Sequence, residues 1–497
     1  MAAEGAGAEK TVLLKSSDGL DFVVSDLEAS QSMTIKDEIE FMLEDEKVFG
    51  VKSSAIHLGV KSNILSKVIE YFRGSQASGG DPRWGAKFID VDHETLCDLI
   101  LASHELQIPG LLELACHTIA NMIKGKLPHE IRKIFNIRSG STKLQDADDV
   151  DELCVTMGMV TAFDFEAHAN RDIIFEEKVL KALNIVRCQE FSEYDPKLND
   201  IMCTRFCSYN IAFFDLDEES RLGRGHQLHE IPSPQCKLME ESSTNVISLK
   251  ICKSDVGFPI NVFGTIIARD ELDYKCVYLF KRESDDPQFI TSPDDTLSLR
   301  DSCRGLVSSD IIHFEINLKI KTDAGAIKDF SKGLLVFNSD RLTKGQQSSR
   351  CYLTSWLSDV ELACAHVLHP VEATIAINLL KGQCCISRVE AWTTRNSEDH
   401  LILYDNKSAG TQMIAGDGGS VPLTRSVVAV PSDEKVVLSL VANGETEPIV
   451  LTLGVSDEVH ACKMGCGELQ VKISWTAVPK RKRYHNWEVV GDVILLV

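Results

Sequence analysis

The chain is short of positive charge. Its 497 residues hold 52 lysines and arginines against 74 aspartates and glutamates, a formal net charge of −22. A surface this acidic repels phosphate backbones, which argues against nucleic-acid binding and favours basic partners. Long apolar runs are missing as well. None approaches the ~18 residues that a membrane-spanning helix needs, so no membrane contact is expected. Met1–Ala8 has no apolar core of signal-peptide length. The 16 cysteines are therefore expected to stay reduced and to act as small buried hydrophobes. Aromatic residues make up only 7% of the chain. Signatures of catalysis are also lacking: there is no nucleophile elbow and no Cys-His pairing. Gly416-Asp-Gly-Gly-Ser420 lacks the lysine of a phosphate loop and reads as a β-turn. No cofactor is expected.

What the chain does have is a normal apolar fraction, 44%, enough to bury cores in two to four domains of roughly 100–200 residues each. Residues 1–9 are small and polar and read as disordered. Thr11–Leu14 and Leu20–Val24 flank Ser17-Asp18-Gly19 and predict a hairpin. From Ser32 the period is helical, with Ile35, Ile39 and Met42 on one face. Asp45–Ser54 reads as a loop and Ile56–Leu58 as a third strand. Ile64, Leu65, Val68, Ile69 and Phe72 form a helical stripe. Gly74–Asp81 reads as a loop and Phe88–Val91 as a short strand. Asp92 caps a helix carrying Leu96, Leu99 and Ile100. Pro109 and Gly110 break it, and Leu111–Ile123 forms another that ends at Gly125. Pro128 opens a last short helix with Ile131, Ile134 and Phe135 on one face.

Residues 138–165 are a polar, acidic linker. Within 166–190 the spacing of Val179, Leu183 and Val186 predicts a charged helix. Beyond residue 200 the period changes to two. Ile312, Phe314, Ile316, Leu318 and Ile320 alternate with His313, Glu315, Asn317, Lys319 and Lys321, a strand with one buried and one wet face. Leu469–Ala477 alternates likewise. Shorter strands are expected at 246–252, 260–268, 275–280, 371–379, 386–392, 427–430, 436–441 and 449–453. The fold class is α+β: an α/β domain, then a mainly antiparallel sandwich or barrel.

Certain stretches carry a family resemblance. They are Thr11–Gly19, Gln31–Lys36, Asp90–Leu96, Leu99–Ala102 and, above all, Ile119-Ala-Asn-Met-Ile-Lys-Gly-Lys126 followed by Pro128–Ile137. Over residues 10–137 the chain resembles the Skp adaptor family. The resemblance implies a BTB/POZ unit over 10–124 and an F-box-binding helical tail over 125–137. It implies a non-enzymatic adaptor that bridges a cullin to an F-box protein in ubiquitin-dependent degradation. The side chains it assigns to the F-box are Ile119, Met122, Ile123, Ile131, Ile134, Phe135 and Ile137, which should remain partly uncovered until a partner seals them. On the cullin face, His104 and Glu105 replace the usual asparagine and aromatic residue. A charge in place of an apolar anchor implies a contact weaker by ~1–3 kcal/mol. Arg138-Ser-Gly-Ser141 and the acidic linker replace a further family helix.

From about residue 190 to 478 the chain resembles a β-rich domain of unknown function from cereal-type plants, through Tyr194–Lys197, Thr204–Ser208, Phe214–Ser220, Phe258–Gly264 and Val371–Ile377. That resemblance brings no activity and leaves the domain's partner unknown. Two other readings compete with the adaptor. In one, the β domain of an interaction or defence protein does the work and the ligase contacts are lost. In the other, the chain is an rRNA N-glycosidase, which needs a Glu and an Arg one helical turn apart; Glu218-Glu-Ser-Arg221 has the spacing, in a stretch that reads as a solvated loop. His460, Cys462 and Cys466, with Cys203 and Cys207, have metal-ligand spacing but read as a turn and buried thiols, so no metal is expected. Lys480-Arg-Lys-Arg483 is the one concentrated basic run, and it suggests a nuclear signal and a chain shared between nucleus and cytoplasm. The apolar tail Trp487–Val497 reads as an edge strand.

Overall fold

A computed structural model describes residues 11–49, 55–79, 81–137, 175–228, 242–300, 304–308, 311–322, 325–342, 348–406, 419–443, 447–465 and 467–479. The basic run Lys480–Arg483, the apolar tail, Cys466, the linker 138–165 and residues 1–9 lie outside them. The chain divides into two compact units. One takes the residues up to Phe191 together with Cys207–Asp215; the other takes Ser192–Phe206 and the residues from Leu216 on.

In the first unit β1 (Thr11–Lys15) lies between β2 (Asp21–Ser25), antiparallel, and β3 (Ile56–His57), parallel. Gly19 supplies the positive φ, +88°, that the β1–β2 turn requires. Helices α1 (Asp26–Ala29), α2 (Met33–Phe49), α3 (Ser62–Ser78), α4 (Pro82–Phe88), α5 (His93–Glu105), α6 (Pro109–Ile123), α7 (Pro128–Ile134) and α8 (Phe175–Phe191) follow. Leu14, Val24, Leu65, Val68, Phe72, Leu99 and Ile100 form the centre of its core.

Two expectations for this unit fail at the same place. The Gly74–Asp81 loop is mostly the end of α3, and Phe88–Val91 is no strand, because Phe88 closes α4. Asp81 caps that helix by accepting from Arg83 N at 3.0 Å, and Pro82 fills its first turn. The rings of Trp84 and Phe88 stack at 5.3 Å. Gly74 reads as a breaker but sits within α3, because a Cβ there would meet the Trp84 ring at 1.8 Å.

The second unit is two β-sandwiches in series, and neither closes into a barrel. In the first, strands Leu306–Val307, Ser243–Ser254, Ser358–Val367 and Ser348–Ser355 form one sheet. Strands Ile327–Asn338, Ile311–Lys321, Ile260–Arg269 and Val277–Arg282 form the other, with Gln288–Ile290 also paired to Ile260–Arg269. Leu249, Val360 and Leu362 meet Ile266, Phe314 and Phe330 between them. In the second, Val427–Pro431, Pro370–Lys381, Gly467–Ala477 and Val459–Met464 face Asn396–Asp405, Ile386–Thr393, Val436–Ala442 and Ile449–Leu453. The side chains of Asn245 and the backbone of Ala429 exchange hydrogen bonds of 2.8 and 3.0 Å, which ties one sandwich to the other.

The expected wet face of Ile311–Lys321 is not wet throughout. Glu315 is buried and His313 half-buried. Arg205 and Phe206 cover them: Phe206 N donates to Glu315 at 2.9 Å, and the Phe206 ring lies 4.7 Å from that of His313. The stretch from Val459 to Met464 is a strand in a hairpin with Gly467–Ala477, where a turn was expected.

Candidate partner-binding face

Helices α5 to α7 carry the side chains that the family resemblance assigns to a partner. Asp92 caps α5 through Thr95 N at 2.9 Å. Pro109 and Pro128 occupy the first turns of α6 and α7. Gly125, at φ +70°, turns the chain between them. Glu130 accepts from Leu127 N at 2.9 Å and fixes the start of α7.

The face is not open. Ile119, Ile123, Ile131, Phe135 and Ile137 are buried, while Met122 and Ile134 are half-buried against the same cluster. That cluster also takes in Val179, Leu180, Ala182, Leu183 and Val186 of α8, with Ile211 and Ala212 of the 207–215 strap. The expectation that these side chains stay uncovered in the single chain is therefore corrected: the chain itself encloses them. The cover is the helix of Val179, Leu183 and Val186, all fully buried. The sequence shows that helix but not what it lies on.

Polar contacts pin the cover along its length. Helix α8 packs across α5 and α6. Its Lys178 pairs with Asp98 of α5 at 2.9 Å. Asn210 of the strap donates to the Leu180 carbonyl at 2.7 Å. Arg132 of α7 donates to the Ala212 carbonyl and lies 5.5 Å from the centre of the Phe213 ring. Burial pushes the Cys97 and Cys116 thiols up to about 12, with Asp98 adding to the first and Glu190 to the second. Both thiols are inert hydrophobes at neutral pH. Of the other described cysteines none is exposed.

At the C-terminal end of α5, His104 and Glu105 are exposed. Partial burial raises the Glu105 carboxyl above its usual range, against the pull of the Gly59 amide that donates to it. A Cβ on Gly59 would meet this carboxylate at 2.4 Å, so Glu105 is folded back onto the loop before α3.

The glycosidase arrangement does not form. Glu218 to Ser220 is extended: Glu219 bridges Cys276, and Glu218 pairs with Lys275 at 2.6 Å. Arg221 is exposed. No helical turn brings Glu218 and Arg221 together. The charges buried nearby serve packing. Arg269 donates to Glu315 at 2.6 Å and to the Leu216 carbonyl at 2.7 Å. Arg304 grips both oxygens of Asp270. Together they hold Arg205, Phe206, Leu216 and Ser220 on the first sandwich. Among the described residues no group of three His, Cys, Asp or Glu side chains converges as metal ligands do.

A three-stranded sheet under helices, extended by α5 to α7, defines a POZ-type module with a helical tail. Comparison with known proteins identifies the family. The model for the Skp1 family tetramerisation domain matches residues 10–75, and that for the Skp1 family dimerisation domain matches 109–148. SKP1-like protein 1 of Oryza sativa subsp. japonica is 42% identical over 94% of its own length and 30% of this chain. SKP1-like protein 11 of Arabidopsis thaliana is 41% identical over 89% of its length and 27% of this chain. The E3 ubiquitin ligase complex SCF subunit sconC of Arthroderma otae is 39% identical over 88% of its length and 28% of this chain. The chain belongs to the Skp1 family. Residues 243–473 match a further model, Domain of unknown function (DUF6598), so the Skp1 module is joined to a second domain spanning both sandwiches.

Proposed function

We propose that the protein is an adaptor subunit of a Skp/cullin/F-box E3 ubiquitin ligase, holding an F-box protein on α6, α7 and the residues up to Ile137, and presenting a second, unidentified partner to its β domain. Skp1-family adaptors are non-catalytic, and this chain acts without chemistry of its own. The observation that carries the reading is the near-complete coverage of an SKP1-like relative, 94% of its length at 42% identity. The cullin is the weaker partner, because Glu105 is engaged by the Gly59 amide where an apolar anchor is usual. The reading places the protein in nucleus and cytoplasm, on the strength of Lys480–Arg483.

Co-expression of the full chain with F-box proteins, followed by affinity purification on a tag attached to this chain, tests it. An F-box protein should co-purify in stoichiometric amount. Recovery of none, where the rice SKP1-like protein 1 recovers one in the same cells, would overturn the reading.

A further inference from the structure

We propose that α8 and the 207–215 strap occupy the F-box-binding face in cis, so that an F-box protein binds only by displacing α8. The inference rests on the adaptor reading above and adds its regulation.

Three observations carry it. Five of the seven side chains assigned to the partner are already buried in one cluster with α8 and the strap, and Met122 and Ile134 pack against it half-buried. The cover reaches both helices of the face, packing on α6 and receiving the Arg132 hydrogen bond of α7, and it is anchored beside them by Lys178, which pairs with Asp98 of α5. The cover also lies outside the stretches that match the family, which end at residue 148. Residues 175–191 and 207–215 thus lie beyond the residues that match the Skp1 models.

The helix is built for one-sided attachment. Its inner face is Val179, Ala182, Leu183 and Val186, with no exposure. Glu177, Gln189 and Glu190 are exposed on its outer side. Leu180 and Asn184 are buried beside this face, and Phe175 and Ile185 pack at its edges. A protein whose binding-competent state is a minor population shows an affinity reduced by that population. Weakening the seat of α8 therefore tightens partner binding by the same factor.

The test measures affinity of the full chain for an F-box protein that the rice SKP1-like protein 1 also binds. Leu183→Ala removes a fully buried leucine from the seat and should tighten binding by at least about tenfold. Lys178→Glu, which sets like charges together at the edge of the seat, should act in the same direction without opening the core. Hydrogen exchange on the unaltered chain gives a readout independent of either variant: the amides of α8 should lose protection when the F-box protein binds. Equal affinities with α8 still protected in the complex would overturn the proposal and leave the adaptor reading standing. Absence of binding by every form would remove the adaptor reading and this inference with it.

Discussion

Two groups of the second unit, Glu372 buried and His313 half-buried, respond to pH in opposite senses, and removing either should reveal the slope of the other. Burial raises the Glu372 carboxyl from the ordinary 4.5 to about 7, against the pull of the Gly305 amide and of Arg304. One carboxyl oxygen accepts from Gly305 N at 3.0 Å, and the other has no hydrogen-bond partner among the described residues. Burial, aided by Arg269, lowers His313 from 6.5 to about 4. Between pH 4.5 and 7 the folded chain holds a proton on Glu372 that the unfolded chain releases, so stability falls as pH rises. Between pH 4 and 6.5 the unfolded chain holds a proton on His313 that the folded chain does not, so stability rises with pH. Each is worth about 3 kcal/mol. In the unaltered protein the two slopes nearly cancel from pH 4.5 to 6.5. Glu372→Gln should leave the His313 slope alone, with stability climbing about 3 kcal/mol from pH 4 to 6.5. Above pH 7 this variant should be more stable than the parent by a similar amount. His313→Gln should show the converse, a fall from pH 4.5 to 7. Urea denaturation followed by the fluorescence of Trp356, Trp392 and Trp475 reads the effect as a difference from the parent at each pH. A difference that does not change with pH for either variant would refute the argument.

Arg304→Ala should cost about 3–5 kcal/mol, because it strands the fully buried Asp270 without its guanidinium partner; a loss of under about 1 kcal/mol in urea unfolding would contradict this. Replacing Lys480, Arg481, Lys482 and Arg483 together by alanine should shift a fluorescent fusion of the chain from the nucleus to the cytoplasm, and an unchanged nuclear signal would remove the localisation.

The strands were legible where one side of a sheet is core and the other is not. Ile312 to Ile320 and Leu469 to Ala477 alternate because period two is the geometry of a pleated strand, and the structure has both. Strands Ser358–Val367 and Ile327–Asn338 escaped notice. The first is buried on both faces over Val360–Ala365, so no alternation marks it. The second contains Gly333, which reads as a break but leaves room for Leu353, whose side chain a Cβ would meet at 2.9 Å.

Periodicity has a deeper limit, and α8 shows it. The stripe of Val179, Leu183 and Val186 states that one face of a helix is buried, but a 3.6-residue period carries no information about what buries it. The same holds for Ile119 to Ile137. Each set demands a cover, and each read alone points to an absent partner. Read as a pair they satisfy one another, which nothing local in either stretch reveals. Charge has the same blindness: Arg304 and Asp270 stand 34 residues apart in a chain that is 25% charged, and only the fold singles them out as a buried pair. The adaptor module was therefore recognisable from its residues, whereas the state of its binding face depends on contacts such as Lys178–Asp98 and Arg132–Ala212, each between residues 80 apart in the sequence.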